Sequence, residues 1–113
     1  MQIEFTGRNM TVTQRLRERA EQGLGRIERV VGKAAKAHII LTRWKNRTKA
    51  ELTVKSRKAE VVAAAESLVM EAALESVLEK AERQVLRMKE RRVERKRNGR
   101  VTKEERSGLA EAV

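Results

Sequence analysis

The apolar residues of this 113-residue chain change their spacing twice, and each change marks a boundary between structural elements. A stripe with the helical period of three to four residues runs through about Val12–Val31. From Ala37 to Ala65 the spacing falls to two, which is typical of half-buried strands. The helical period returns at about Ser67 and continues to Met88. The sequence therefore predicts a block of strands between two amphipathic helices.

Four short strands are predicted around these helices. The first, Gln2–Thr6, places Ile3 and Phe5 between polar neighbours. Short polar links join the other three, so these should form an antiparallel meander; they are His38–Lys45, Ala50–Lys55 and Val61–Ala65. Because both helical stripes can cover one sheet face, we expect an α+β fold. It is a two-layer sandwich of order β-α-β-β-β-α, with a four-stranded sheet and two helices on one face.

The first helix has recognisable ends. Thr11 or Thr13 can cap its N-terminus through a side-chain oxygen, and Gly32 is a natural terminator. Gly23 and Gly25 lie inside it and each cost about 1 kcal/mol relative to alanine. We therefore expect the first helix to be the softer of the two.

The charge of the chain is strongly positive. It has 27 Lys and Arg against 16 Asp and Glu, a net charge of +11 and a pI near 10.9. A domain this basic points first to nucleic acid, then to an anionic membrane surface or an acidic protein. With only one Phe, one Trp and no Tyr, the core must be aliphatic, and recognition by shape and phosphate is favoured over base stacking.

Several classes of protein conflict with this composition. No apolar run reaches 18 residues, so no membrane span is expected, and Met1–Thr6 lacks the features of a signal peptide, which indicates a cytoplasmic protein. The chain has no Cys, one His and no Asp, and lacks a glycine-rich phosphate loop or a nucleophile motif. We expect no enzyme activity, catalytic residue, cofactor, metal site or small-molecule substrate.

A strip of cations follows the long second helix beside its apolar stripe. At ~100° per residue the strip comprises Lys80, Arg83, Arg87 and Arg91. An exposed helix face is usually charged, but here like charges repel at i, i+4, which favours an external anion such as nucleic acid. Past Met88, cations occupy the core-facing positions, so the helix should extend beyond the domain on which it packs. These cations are Arg92, Arg95 and Lys96.

The first helix repeats this pattern on one flank, which carries Arg15, Arg19, Arg26 and Arg29. A solvated face and phosphate contact are equally compatible with this flank alone. Two helices lying side by side with cations on one side would form a positive groove, in which contacts to phosphate dominate affinity.

Three further features allow two interpretations each. Trp44 could stack on a base, but we favour packing of its ring on the sheet. His38 is interpreted as a structural, half-buried residue of a strand. The basic segment Arg92–Arg100 is either a tail without fixed structure or, as we favour, an extension that becomes ordered on RNA.

Three stretches of the sequence carry a resemblance to a known family. They are MQIEFTGRNMTVTQRLRERAE, AHIILTRWKNRTKAELTV, and VVAAAES followed by MEAALESVLEKAERQVLRMKER. In order, spacing and local sequence they resemble the short ribosome hibernation-promoting factors and ribosome-associated inhibitor A. The similarity covers about Met1 to Arg92.

The resemblance implies the same β-α-β-β-β-α fold and binding to ribosomal RNA of the small ribosomal subunit, in the channel between its head and body. Such proteins overlap the places of messenger RNA and of transfer RNA in the aminoacyl and peptidyl sites, and so hold ribosomes idle. The RNA-contacting positions of the family match Arg26, Arg29, Lys80, Arg83, Arg87, Lys89 and Arg91 here.

The chain also departs from the pattern of this family. Val69 and Glu71 replace an acidic residue and a Tyr at the start of the last helix, and Gly23 replaces a basic position of some relatives. The C-terminal dimerisation domain of the long family members is missing. We therefore expect a monomer off the ribosome that does not pair ribosomes alone.

Together these arguments predict a ribosome-binding domain over residues 1–98 and a flexible tail over 99–113. The expected RNA-binding residues are Arg15, Arg19, Arg26, Arg29, Lys80, Arg83, Arg87, Lys89, Arg91, Arg92 and Arg95. Two alternatives stay open: a general binder of duplex RNA or DNA, and a helix-mediated protein interaction module.

Overall fold

The predicted order of elements is confirmed. The computed structural model describes residues 1–57 and 59–99, with the side chains of 92–99 outside that description. Its elements are β1 Gln2–Arg8, α1 Gln14–Val31, β2 Lys36–Trp44, β3 Arg47–Lys55, β4 Glu60–Ser67 and α2 Met70–Gly99. The predicted tail lies outside the described residues from position 100 onward.

The four strands form one mixed sheet in the order β1-β2-β3-β4. The meander of β2, β3 and β4 is antiparallel, as expected, whereas β1 pairs in parallel with β2. A parallel neighbour requires a crossover, and α1 supplies it. Since β1 and β4 each pair on one side only, they are the two edge strands of the sheet.

One sheet face and both helices enclose an aliphatic core. Alternate residues of β2, β3 and β4 are buried, which is the two-residue period read from the sequence. The largest fully buried side chains are Leu24, Ile27, Ile39, Leu41, Leu52, Leu74, Val54, Val61, Val77 and Val85. His38 lies half-buried on the other face, where its Nε2 is 2.8 Å from the Thr6 hydroxyl. Its structural interpretation is confirmed.

The ends of α1 follow the sequence signals. The backbone N–H of Leu16 donates to the Thr13 hydroxyl at 3.3 Å, which makes Thr13 the N-cap. Gly32 ends the helix with φ 98°, a conformation that side-chain-bearing residues rarely adopt. Near the same end, the α-amino group of Met1 pairs with Glu28 at 2.9 Å, and this contact lowers the pKa of the Glu28 carboxyl.

Gly23 lies where α1 packs against Leu78 of α2. A Cβ at this position would lie 2.7 Å from Cδ1 of Leu78, whereas a Cβ at Gly25 would meet nothing within 4 Å. Gly23 thus allows close packing of the two helices, whereas Gly25 only lowers the stability of α1. Within the described part of the chain, neither helix has the length and apolar character needed to cross a membrane.

Candidate nucleic-acid interface

α1 and α2 run parallel, and a ladder of ion pairs joins them. α1 follows β1, α2 follows β4, and these two strands run in the same direction. Because the chain reverses direction after each strand, the two helices also run in the same direction. Three arginines of α1 each meet a glutamate that follows 56 residues later in the chain. The pairs are Arg15 Nε with Glu71 Oε1 at 3.4 Å, Arg19 with Glu75, and Arg26 Nη1 with Glu82 Oε2 at 3.9 Å.

This ladder corrects the positive groove expected between the helices. The cleft near its start has a volume of about 480 Å³ and is lined by residues of both signs, including Arg15, Arg19, Glu71 and Glu75. The physical reason is the helical period of α2, which places its glutamates at i, i+4 and i+11 on the flank that meets α1. The sequence showed these carboxylates, but not which flank of α2 would face α1.

The paired arginines of α1 nevertheless remain accessible. The side chains of Arg15, Arg19 and Arg26 are 81%, 55% and 70% exposed. Ion pairs this exposed contribute about 1 kcal/mol or less, because water solvates both partners. Each guanidinium also has more N–H donors than one carboxylate occupies. Phosphate contact by these arginines therefore stays a prediction. The glutamates of α2 would compete with phosphate for the same guanidinium groups.

The cations of α2 lie on its opposite flank, beside the free edge of β4. The Lys80 ammonium donates to the carbonyl oxygen of Ala64 at 3.0 Å, and the Gln84 amide donates to that of Val62 at 3.0 Å. These bonds occupy two outward carbonyls of the edge strand and hold both side chains along it. We call this feature the α2–β4 groove; its lining residues are Val62, Ala63, Ala64, Lys80, Arg83, Gln84 and Arg87.

The α2–β4 groove is uniformly positive. Its volume is about 320 Å³, and its lining holds three cations and no carboxylate. Among the described side chains, none of the ion pairs involves Lys80, Arg83 or Arg87. Arginine suits phosphate because its planar fork can donate two parallel hydrogen bonds. The groove can therefore hold a chain of phosphates along the edge of the molecule.

The other predicted residues extend this surface or lie outside it. Arg29 is exposed in the last turn of α1, and Arg91 is exposed one turn beyond Arg87 on the same flank of α2. Lys89 is exposed on the opposite flank, seven residues after Glu82. Arg92 and Arg95 belong to the described backbone of α2, but their side chains lie outside the described residues, so their role stays a prediction.

Sequence reasoning missed one feature of this surface. The link of Gln84 and Lys80 to the β4 edge had no sequence signal, because it depends on where α2 crosses the sheet.

Trp44 lies outside this surface, at the end of β2. The preferred interpretation has its ring packed on the sheet, whereas its side chain is 65% exposed. The ring lines a small recess with strand residues that include Thr42 and Glu66.

The fold and this site define a small basic α+β sandwich with a positively charged groove, the α2–β4 groove, along its second helix. Residues 3–93 match the family described as "Sigma 54 modulation protein / S30EA ribosomal protein". Because the match spans most of the sequence, the chain belongs to this family.

Similar proteins agree with this assignment. A ribosome hibernation promoting factor of Azotobacter vinelandii is 36% identical over 66 residues, which is 58% of this chain and 62% of that protein. The chain thus spans less than two thirds of that relative's length. The N-terminal domain of Thermus thermophilus Protein Y has a TM-score of 0.71 and 27% identity, over 78% of this chain and 99% of the other. A ribosomal subunit interface protein of Coxiella burnetii has a TM-score of 0.70 and 28% identity, over 79% and 98%.

Proposed function

We propose that this protein is a ribosome-associated hibernation factor that inhibits translation. It binds ribosomal RNA of the small subunit in the decoding channel, where it blocks the places of messenger and transfer RNA. Family membership and the names of the similar proteins support association with ribosomes. The proposal needs no catalysis, because occupancy of the channel is sufficient to keep a ribosome idle.

The observation that carries the proposal is the α2–β4 groove. Folded ribosomal RNA presents phosphates in fixed positions, and Lys80, Arg83 and Arg87 present three cations without internal carboxylate partners. The hydrogen bond from Lys80 to the carbonyl of Ala64 already restricts this side chain, which reduces the side-chain entropy that Lys80 loses on binding. Phosphate contacts of this kind supply much of the affinity for nucleic acid.

The arginines of α1 take a second role in this proposal. Arg26 and Arg29 lie toward the C-terminal end of α1, on the helix-covered side of the sheet. To contact phosphate, Arg26 must exchange its long 3.9 Å contact with Glu82 for an RNA oxygen. That exchange costs little, because the guanidinium is already 70% exposed.

Co-sedimentation with purified small subunits tests the proposal. The variant R83E/R87E reverses two charges of the groove, and we expect it to stay in the supernatant while wild type pellets. The matched control is K36E/K55E, which makes the same change in net charge at two exposed lysines paired across β2 and β3. Loss of pelleting in both variants to the same extent, or in neither, would contradict the assignment.

Competition experiments separate the decoding channel from other RNA. We expect messenger RNA and transfer RNA bound together on the small subunit to displace the protein, whereas bulk duplex RNA at equal phosphate concentration should not. Displacement by duplex RNA alone would indicate a general duplex binder. Circular dichroism should show that R83E/R87E and K36E/K55E, the variants of the co-sedimentation experiment, keep the wild-type helix content.

A further inference from the structure

Trp44 occupies a position that the proposed function does not explain. It ends β2 on the sheet face away from the helices, and its side chain is 65% exposed. An exposed indole ring can stack on the planar ring of a ligand. Trp44 is not among the residues that line the α2–β4 groove.

A two-residue turn joins β2 to β3 next to Trp44, since Trp44 pairs with Arg47. Lys45 adopts φ 56° in this turn, as the tight turns of two-residue hairpins require. The turn holds the Lys45 ammonium 6.0 Å from the centroid of the Trp44 ring. A cation is therefore fixed beside the exposed ring.

A small recess opens next to this ring. It has a volume of about 160 Å³ and is lined by Thr42, Trp44, Arg47, Thr48, Lys49 and Glu66. Sites for drug-sized ligands run to about 300–1,000 Å³, so this recess suits a smaller group, about the size of one planar nucleobase. The Thr42 hydroxyl and the Glu66 carboxylate can accept hydrogen bonds from the amino group of such a ring.

The charges around the recess favour an anion attached to that ring. Lys45 follows Trp44 in the turn, and it forms no ion pair with a described carboxylate. Arg47 and Lys49 already have partners, in Glu66 at 3.7 Å and Glu51 at 3.8 Å. A nucleotide combines a planar base with a phosphate, and aromatic side chains beside cations are the usual platform for unpaired bases.

We propose that Trp44 and the β2–β3 hairpin form a binding site for one unpaired nucleotide of single-stranded RNA. The base stacks on the indole ring and enters the recess, where its amino group donates to Thr42 or Glu66. Lys45 contacts its phosphate. This site lies on the face of the sheet opposite the helices and is separate from the α2–β4 groove.

The fluorescence of the protein reports directly on this site, because Trp44 is the only Trp and the chain has no Tyr. Titration with a short oligoadenylate should quench Trp44 emission to saturation. Inorganic polyphosphate, which carries charge without bases, and a duplex of the same length, whose bases are paired, should leave the emission nearly unchanged. Equal quenching by polyphosphate, or none by oligoadenylate, would overturn the proposal.

Two variants complete the test, with binding followed by anisotropy of a labelled oligoadenylate. W44A should weaken binding roughly ten-fold, a typical loss for one stacked base, and W44F should recover part of that loss. The control L86A removes another exposed apolar side chain, which lines neither the recess nor the α2–β4 groove, and should bind like wild type. If W44A binds as tightly as L86A, the hairpin is not the site.

The same titration on R83E/R87E separates this proposal from the function proposed above. Quenching of Trp44 should persist in that variant even where binding to the small subunit is lost. Loss of quenching in R83E/R87E would place the single-stranded RNA in the α2–β4 groove and would overturn the separate site.

Discussion

At the scale of the residue, Val69 occupies a position where other residue types would give a more stable helix. It precedes Met70, the first residue of α2, and so occupies the N-cap position with a side chain that cannot accept a hydrogen bond. Leu68 and Val69 are 67% and 59% exposed, so burial does not explain the choice. Two adjacent solvent-facing apolar residues at a helix start break a local rule of stability, as functional surfaces often do.

Replacing Val69 with Ser should therefore stabilise the fold. The hydroxyl can accept a hydrogen bond from the first turn of α2, which contributes about 1 kcal/mol to the free energy of unfolding. Val69→Ala is the control, since it removes the same apolar bulk without adding an acceptor. Urea denaturation should rank Val69→Ser above Val69→Ala; equal midpoints would show that Val69 is not at a usable cap.

At the scale of the element, the two glycines of α1 should respond in opposite directions. Gly25→Ala should raise the free energy of unfolding by about 1 kcal/mol, because alanine favours the helix and the space around Gly25 is open. Gly23→Ala gains the same propensity but forces the buried Leu78 to move, at a cost of about 1–3 kcal/mol. Thermal unfolding measures both, and a stabilised Gly23→Ala would contradict the close packing of the helices.

The ion-pair ladder makes a second prediction about α1 and α2. Since the glutamates of α2 compete with RNA for the arginines of α1, E71Q/E75Q/E82Q should bind small subunits several-fold more tightly than wild type. The control E4Q/E51Q/E60Q makes the same change in net charge on the opposite face of the sheet. Filter binding compares the two, and an equal gain in both would mean that only overall charge matters.

The sequence predicted the elements better than their arrangement. The two-residue period from Ala37 to Ala65 identified the meander, and Thr13 and Gly32 marked the ends of α1, because these are local effects. The parallel pairing of β1 with β2 depends on how α1 crosses the sheet, which local pattern does not encode. The same applies to the flank of α2 that meets α1, so the cations of the site were predicted and their partners were not.

At the scale of the whole molecule, charge is distributed unevenly between the faces. The face of the sheet away from the helices mixes lysines of β2 and β3 with glutamates of β1, β3 and β4, some already paired. The cleft between the helices also mixes both signs, and the α2–β4 groove stands out by carrying cations alone. A polyanion should therefore approach the β4 edge of the molecule first, and bind most strongly there.

The salt dependence of binding to purified small subunits tests this claim most directly. Each phosphate contact that is lost should lower the slope of log K against log salt concentration by roughly 0.7–0.9, because fewer counterions are released. We predict that R83A/R87A lowers the slope by about twice that amount, whereas R15A/R19A, whose arginines already pair with Glu71 and Glu75, lowers it by less. An unchanged slope for R83A/R87A, or a larger loss for R15A/R19A, would contradict the account.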